Sequence, residues 1–241
     1  MYNLYWKKIF FALGFITIGL SGFSQHREIN LADHDNKPYY FGISLAYNTN
    51  RFHFDQHPRF LQYDSVMVAE PLNSGGFGLG LSATLPLTKR FEARTNPQLL
   101  FTERAIQYFL TYPDGTKDEL PLTTRSVQSV TVSFPFQMKF NSDRIGNFRV
   151  YMLGGVKADY DLASNARARQ AEDLLKVKKT DFGIEAGIGF NFYFQHFILS
   201  PELKISNGIG NIHSRDESLK YSNVIEQMRS RMVMFTLHIE G

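Results

Sequence analysis

The chain has 241 residues, of which 26 are basic and 23 acidic, a formal net charge of +3, and no cysteine. Without cysteine, neither a disulfide framework nor a lipid anchor on cysteine is available. The near balance of charge, with no basic run interleaved with aromatic residues, argues against nucleic-acid binding.

The N-terminal segment has the order of features found in secretory signals. Lys7 and Lys8 precede an apolar run at 9–20, and small residues follow up to Ser24. The run is shorter than the roughly 20 residues that a membrane-spanning helix requires. We therefore predict a signal peptide at 1–24. Its removal takes away two of the 26 basic residues and no acidic one, so the remaining chain is nearly neutral.

The rest of the chain lacks a long apolar segment but alternates between apolar and polar residues, as strands with two different faces do. We predict eight strands from this alternation. Their apolar rows run over Tyr39–Tyr47, Phe77–Leu85, Phe91–Phe101, Val130–Phe140, Phe148–Ala158, Phe182–Phe194, Phe197–Ile205 and Val233–Ile239. Each is long enough to cross a hydrocarbon layer when tilted.

The connections between these strands alternate between short and long. Short links are predicted at 86–89, 141–146 and 195–196, and long links at 51–74, 113–120, 162–179 and 207–229. Outer-membrane barrels sort their links in this way, with short periplasmic turns and longer extracellular loops. We therefore predict an all-β protein: an eight-stranded antiparallel up-and-down transmembrane β-barrel at 38–241, preceded by a short mobile leader at 25–37.

The polar row of each strand is predicted to face the interior of the barrel. An eight-stranded barrel has an interior just wide enough for side chains to fill. Charges in such an interior are tolerated only when they are paired. We predict a plug of ion pairs rather than a conduit, formed by Glu92, Arg94, Lys139, Arg149, Lys157, Asp159, Glu185, Glu202 and Lys204.

Two long links have helical composition. The segments at 168–176 and 219–228 are rich in helix-forming residues with an amphipathic spacing. We predict short amphipathic helices there and regard them as candidate partner-binding elements.

Two other kinds of chemistry have candidate residues. His53, Asp55 and His57 are spaced two apart, a spacing that suits zinc or copper if the strand extends that far, but we favour a polar extracellular rim as their explanation. His213, Ser214, Asp216 and Ser218 share one long link, but their spacing does not mark a nucleophile with an oriented base. We therefore expect no enzyme activity, no cofactor and no small-molecule substrate.

Four segments resemble the PorT family of outer-membrane barrels. They are EAGIGFNFYF (185–194), LSPELKISNG (199–208), RTNPQLLFTER (94–104) and SFPFQMKF (133–140). The resemblance covers most of the chain after the signal. It implies an integral barrel of the outer membrane in Bacteroidetes-type bacteria, associated with the type IX secretion system and, in gliding species, with surface motility.

The function implied by this resemblance is non-enzymatic. The barrel would assist type IX secretion by assembling, docking or stabilising translocon components, so its partners would be outer-membrane lipid and other proteins of that system. The alternative is a general envelope or adhesion barrel of the OmpA/OmpX kind, which would act through its outer loops.

Overall fold

A computed structural model describes residues 28–56, 66–110, 122–162, 178–213 and 225–241. These residues form one 3₁₀ helix and ten strands. In none of the described ranges is there a helix with the length and apolar character needed to cross a membrane.

The 3₁₀ helix spans Ala32–Asn36 and precedes the first strand. The strands are β1 (Tyr40–Gln56), β2 (Val66–Leu72), β3 (Ser74–Pro86), β4 (Phe91–Thr95), β5 (Gln98–Leu110), β6 (Leu122–Asn141), β7 (Phe148–Asp161), β8 (Thr180–Tyr193), β9 (Ile198–Gly208) and β10 (Ile225–Glu240).

The strands close into an antiparallel barrel. β1 pairs with β10 on one side and with β3 on the other, which joins the two ends of the sheet. β2 and β3 together occupy one of the strand positions of the barrel, with an interruption at Asn73, because both pair with β5. β4 and β5 form another, interrupted at Asn96 and Pro97, because both pair with β6. The ring therefore has eight positions, and the predicted fold class is confirmed.

Proline explains the second interruption. Pro97 has no backbone N–H for the ladder, and Pro135 on β6 faces the same gap. The local hydrogen bonds are recovered in other ways. The Leu81 amide donates to the Pro97 carbonyl at 3.0 Å, and the Thr95 hydroxyl donates to the Pro135 carbonyl at 2.8 Å. β5 resumes on β6 in the register of β4, whereas β3 is offset by one residue from β2 on β5, so the wall continues with one irregularity at Asn73.

The two rows of each strand face opposite environments. The apolar rows point out of the barrel, where Phe41, Leu81 and Phe136 are more than 60% exposed. The polar rows point inward, and the largest fully buried side chains include Arg94, Lys139 and Lys204. A protein in water has the reverse distribution. This inversion is what a barrel surrounded by lipid requires.

The short and long connections lie at opposite ends of the barrel, as predicted. The short turns are 87–90, 142–147 and 194–197, and we call this the turn end. At the other end, which we call the outer end, the strands run further than the sequence indicated. β1 continues to Gln56 and β2 begins at Val66, so part of the link predicted at 51–74 is strand.

The helix predicted at 219–228 is wrong in its second half. Residues 225–228 belong to β10, with Ile225 and Met228 fully buried, and they pair with the end of β1 around an irregularity at Asp55 and Gln56. Tertiary pairing with β1 overrides the helical composition. Residues 219–224 and the whole segment 168–176 lie outside the described residues.

Candidate functional site

The lumen is the candidate site because it holds most of the buried charge. Eight of the nine predicted interior residues form four ion pairs with one another. The Lys139 ammonium lies 3.1 Å from the Glu92 carboxylate, and the Lys204 ammonium lies 3.3 Å from that of Glu185. The other two pairs are Arg94 with Glu202 and Lys157 with Asp159. All eight residues are buried.

Two hydrogen bonds through Gln137, one from Tyr151 and one cation–π contact connect three of these pairs. The Tyr151 hydroxyl donates to Glu202 at 2.9 Å, and the Lys139 ammonium lies 4.3 Å from the centre of the Tyr151 ring. The Arg94 Nε donates to the Gln137 side-chain oxygen at 2.7 Å. The Gln137 amide in turn donates to Glu185. These contacts compensate part of the cost of desolvating each ion.

The Tyr151 ring takes this central position because Gly189 lies opposite it. Tyr151 and Gly189 are cross-strand partners on β7 and β8. A Cβ at Gly189 would lie only 2.3 Å from the Tyr151 ring, so any larger residue would displace the ring. The glycines of the inward row therefore leave room for the large side chains of their neighbours.

The outer part of the lumen is filled first by polar and then by apolar side chains. Near Asp159 and Asp161, the cavity that Arg104 also lines is only about 20 Å³, which leaves room for about one water molecule. Above this level, the inward positions of β1, β5 and β10 become apolar. The fully buried residues there are Phe52, Ile106, Tyr108, Ile225 and Met228.

The N-terminal segment covers the turn end of the lumen. Arg149, the ninth predicted interior residue, pairs with Asp35 of this segment at 3.1 Å, and it has no ion-pair partner among the described barrel residues. The Arg144 guanidinium donates to the carbonyls of Asn30 and Leu31. We call residues 28–37 the cap. The sequence predicts a mobile leader here, whereas the structure gives these residues specific contacts with the turns.

His34 is the buried centre of the cap. It is 5% exposed, and its ring centroid lies 4.5 Å from that of Tyr40 at the start of β1. Burial, followed by the nearby charge of Lys37, lowers the pKa of His34 from its ordinary value of 6.5. The cap therefore favours a neutral imidazole at neutral pH.

The other candidate residues do not form a recognisable site. His53 and Asp55 share the outward face of β1 and are exposed, and His57 lies outside the described residues. The described ranges contain no group of three side chains suited to hold a metal ion. Of the four loop residues considered for catalysis, only His213 is described, and it is buried at an isolated bridge position.

Alternation alone indicated Tyr40, Gln137, Tyr151 and His238 as inward residues, but it did not indicate their role. His238 lies 3.6 Å from Glu202, which Arg94 and Tyr151 also contact. The cap was missed completely. Its contacts join residues more than a hundred positions apart, and its short polar sequence carries no periodic signal.

No curated protein sequence matches the chain. Among solved structures, OprG of Pseudomonas aeruginosa is similar with a TM-score of 0.46 and 12% identity, covering 84% of this chain and 93% of that one. Neisserial surface protein A has a TM-score of 0.40 and 10% identity, with 83% and 96% covered. Ail of Yersinia pestis has a TM-score of 0.40 and 12% identity, with 85% and 100% covered.

A family model described as an outer membrane protein beta-barrel domain matches residues 23–214. This range includes most of the described barrel. The chain therefore belongs to the outer membrane protein beta-barrel domain family, and it is an integral protein of the outer membrane.

Proposed function

We propose that this protein is a closed, non-enzymatic barrel that assists the type IX secretion system by assembling or stabilising its outer-membrane components. The observation that carries the accessory role is the filled lumen. Within the described residues, four buried ion pairs, an apolar layer at the outer end and the cap at the turn end occupy the lumen. The link to type IX secretion rests on the resemblance to the PorT family.

A filled barrel of eight strands acts through its surfaces. Its interior has no room for a folded cargo. Partner proteins would then contact the lipid-facing rows, the three short turns or the strands that extend at the outer end. No described residue group suggests bound substrate, so the proposed partners are proteins and lipid.

A deletion strain tests the secretion role. We expect loss of the gene to trap type IX cargo in the periplasm while the envelope keeps its general integrity. Complementation with the wild-type chain should restore export. A second complementing chain, with 164–176 shortened but the barrel folded, tests whether that outer link contacts a partner. Normal export from the deletion strain would contradict the proposed function.

An envelope or adhesion role is the second candidate, and the strand extensions favour it. At the outer end, the outward faces of β1 and β6 are polar, with Arg51, His53, Asp55, Thr124 and Ser126 exposed. They form a wall that stands above the apolar rows. If this role is correct, the deletion strain exports type IX cargo normally but loses surface attachment or resistance to envelope stress.

A further inference from the structure

Three arginines and one histidine face outward together at the seam between β1 and β10. In the ladder that closes the barrel, Arg51 is the direct cross-strand partner of Arg231, and His53 is the partner of Arg229. All four are exposed. Residues paired in this way have Cβ atoms about 5 Å apart, and like charges placed there repel each other. We call these four residues the seam patch.

The described residues do not neutralise the seam patch. The Arg231 Nε donates to the Asn207 side-chain oxygen at 3.0 Å, and Arg229 lies 3.5 Å from that of Gln227, so both contacts are to neutral groups. Asp55 and Glu226 are the exposed acids nearest along these strands, and neither pairs with a seam-patch residue within the described ranges. A cluster of like charges of this kind is expected where a bound anionic ligand offsets their repulsion.

The position of the seam patch along the barrel axis indicates what kind of ligand would offset its charge. One pair below, Thr49 faces Val233, and the next pair is Tyr47 with Phe235. Tyr47 is 61% exposed and Phe235 is 50% exposed, so both belong to the lipid-facing surface. The guanidinium groups therefore begin where the apolar surface ends. Because the short turns of such barrels are periplasmic, this boundary lies at the outer leaflet.

The seam between β5 and β6 has different chemistry at the corresponding level. There Phe101 faces Val130 at the top of the apolar surface, and the next polar pair outward is Glu103 with Gln128. The positive charge of the seam patch is therefore not repeated at the seam between β5 and β6.

We propose that the seam patch binds the phosphate groups of anionic glycolipid in the outer leaflet, that is, of lipopolysaccharide. Arginine is suited to this role because its planar guanidinium contacts phosphate oxygens in pairs. The acyl chains of the same molecule would lie against Tyr47, Val233 and Phe235. The proposal concerns the lipid contacts of the barrel and does not depend on a role in secretion.

The test measures lipopolysaccharide binding to the purified, folded barrel in zwitterionic detergent. The variant Arg51→Gln, Arg229→Gln, Arg231→Gln is compared with wild type and with Lys89→Gln, Arg90→Gln, which removes two exposed charges at the turn end. We expect the triple variant to bind about a hundredfold more weakly, from roughly a fivefold loss per basic residue. The turn-end control should bind as wild type does.

Folding of the triple variant is checked by its thermal transition without lipopolysaccharide. That transition should be unchanged or higher, because the variant removes repulsion between Arg51 and Arg231. Addition of lipopolysaccharide should raise the transition of wild type and leave that of the variant where it was.

Two further probes identify the recognised group. Dephosphorylated lipopolysaccharide should lose most of its binding to wild type, and soluble heparin should not compete. Equal binding by the triple variant, or equal binding of the dephosphorylated lipid, would overturn the proposal. Efficient competition by heparin would show that the patch binds a soluble polyanion instead of a lipid headgroup.

Discussion

Neighbouring residues of β8 have opposite environments. Ile184 and Ile188 are about half exposed, whereas Glu185 between them is 6% exposed and pairs with Lys204. The lumen-facing row is therefore the packed core of this protein, although it is polar. The lipid-facing row is apolar although it is outside. The comparison teaches that the folded state depends on charge pairing inside and on the exclusion of charge outside.

The two rows should respond differently to the same kind of change. An unpaired ion inside cannot reach water, so its partner is essential even where the pair itself adds little net stability. An apolar side chain outside can be exchanged for another at small cost because lipid adapts to its shape. A charge there has no partner and loses its hydration.

The largest loss of stability is expected from breaking the ion pair between Arg94 and Glu202. Glu202→Gln leaves the Arg94 guanidinium buried without its counter-charge and weakens the contacts of Tyr151 and His238. We expect a loss of roughly 3–5 kcal/mol in the free energy of unfolding, measured by urea titration in lipid vesicles.

The matched control for that change is Asp143→Asn. Asp143 pairs with Arg90 at 2.9 Å in the short turns, where the two side chains are 79% and 57% exposed. Loss of an exposed pair should cost at most about 1 kcal/mol. Equal losses in the free energy of unfolding for the two variants would show that the charges of the lumen are as hydrated as those of the surface.

The second effect concerns the lipid-facing row. Ile188→Arg places a charge at the middle of the outward row of β8, and we expect it to cost roughly 2–4 kcal/mol. Thr124→Arg places the same side chain on the exposed outward face of β6 near the outer end, where a change within about 0.5 kcal/mol is expected. If the two arginines cost the same in vesicles, Ile188 does not face the membrane interior.

Two adjacent glycines of β7 give a finer comparison of the rows. A Cβ at Gly155, on the inward row, would lie 2.2 Å from the carbonyl oxygen of Phe136, which is backbone and cannot move aside. A Cβ at Gly154, on the outward row, would find its nearest neighbour only at 4.0 Å. We expect Gly155→Ala to destabilise by about 1–3 kcal/mol and Gly154→Ala to be neutral or stabilising by up to about 1 kcal/mol.

Unfolding of both alanine variants in the same vesicles provides the measurement. A destabilised Gly154→Ala together with a tolerated Gly155→Ala would reverse the assignment of the two rows on β7.

The smallest effect is expected at the cap. The pKa of His34 is lowered first by burial and then by Lys37, against the opposing charges of Glu240, Asp35 and Glu92. The unfolded segment therefore binds a proton more readily than the docked one. Docking of the cap is at full strength above the ordinary pKa of 6.5 and weakens as the pH falls below it towards the lowered pKa.

Hydrogen exchange of residues 28–37 between neutral pH and about pH 5 measures this docking. We expect amide protection, corrected for intrinsic exchange rates, to fall with pH in wild type. In His34→Phe, which keeps an aromatic ring beside Tyr40 but cannot titrate, protection should be independent of pH. A matching fall in both proteins would assign the pH dependence to another group.

Most of the barrel could be predicted from the sequence because its strands have a strict period of two. Each apolar residue of a row such as Phe182 to Phe194 repeats the same information, and the link lengths then give the topology. The identity of the ion pairs could not be predicted. Arg94 pairs with Glu202 across the lumen, and neither alternation nor link length states which residues meet there.

The cap and the strand ends were beyond sequence reasoning for a different reason. The cap is held by single contacts such as that of Asp35 with Arg149, which have no periodicity. At the start of β10, local composition indicates a helix, and only pairing with β1 makes residues 225–228 a strand.

Single-channel recording in planar bilayers tests the central claim, a lumen filled by paired side chains, most directly. The wild-type barrel should give no steady conductance. A variant that lacks residues 28–37 should also remain closed, because the four ion pairs and the apolar outer layer of Phe52, Ile106 and Met228 stay in place. A stable, ohmic current from the folded wild-type protein would contradict the account.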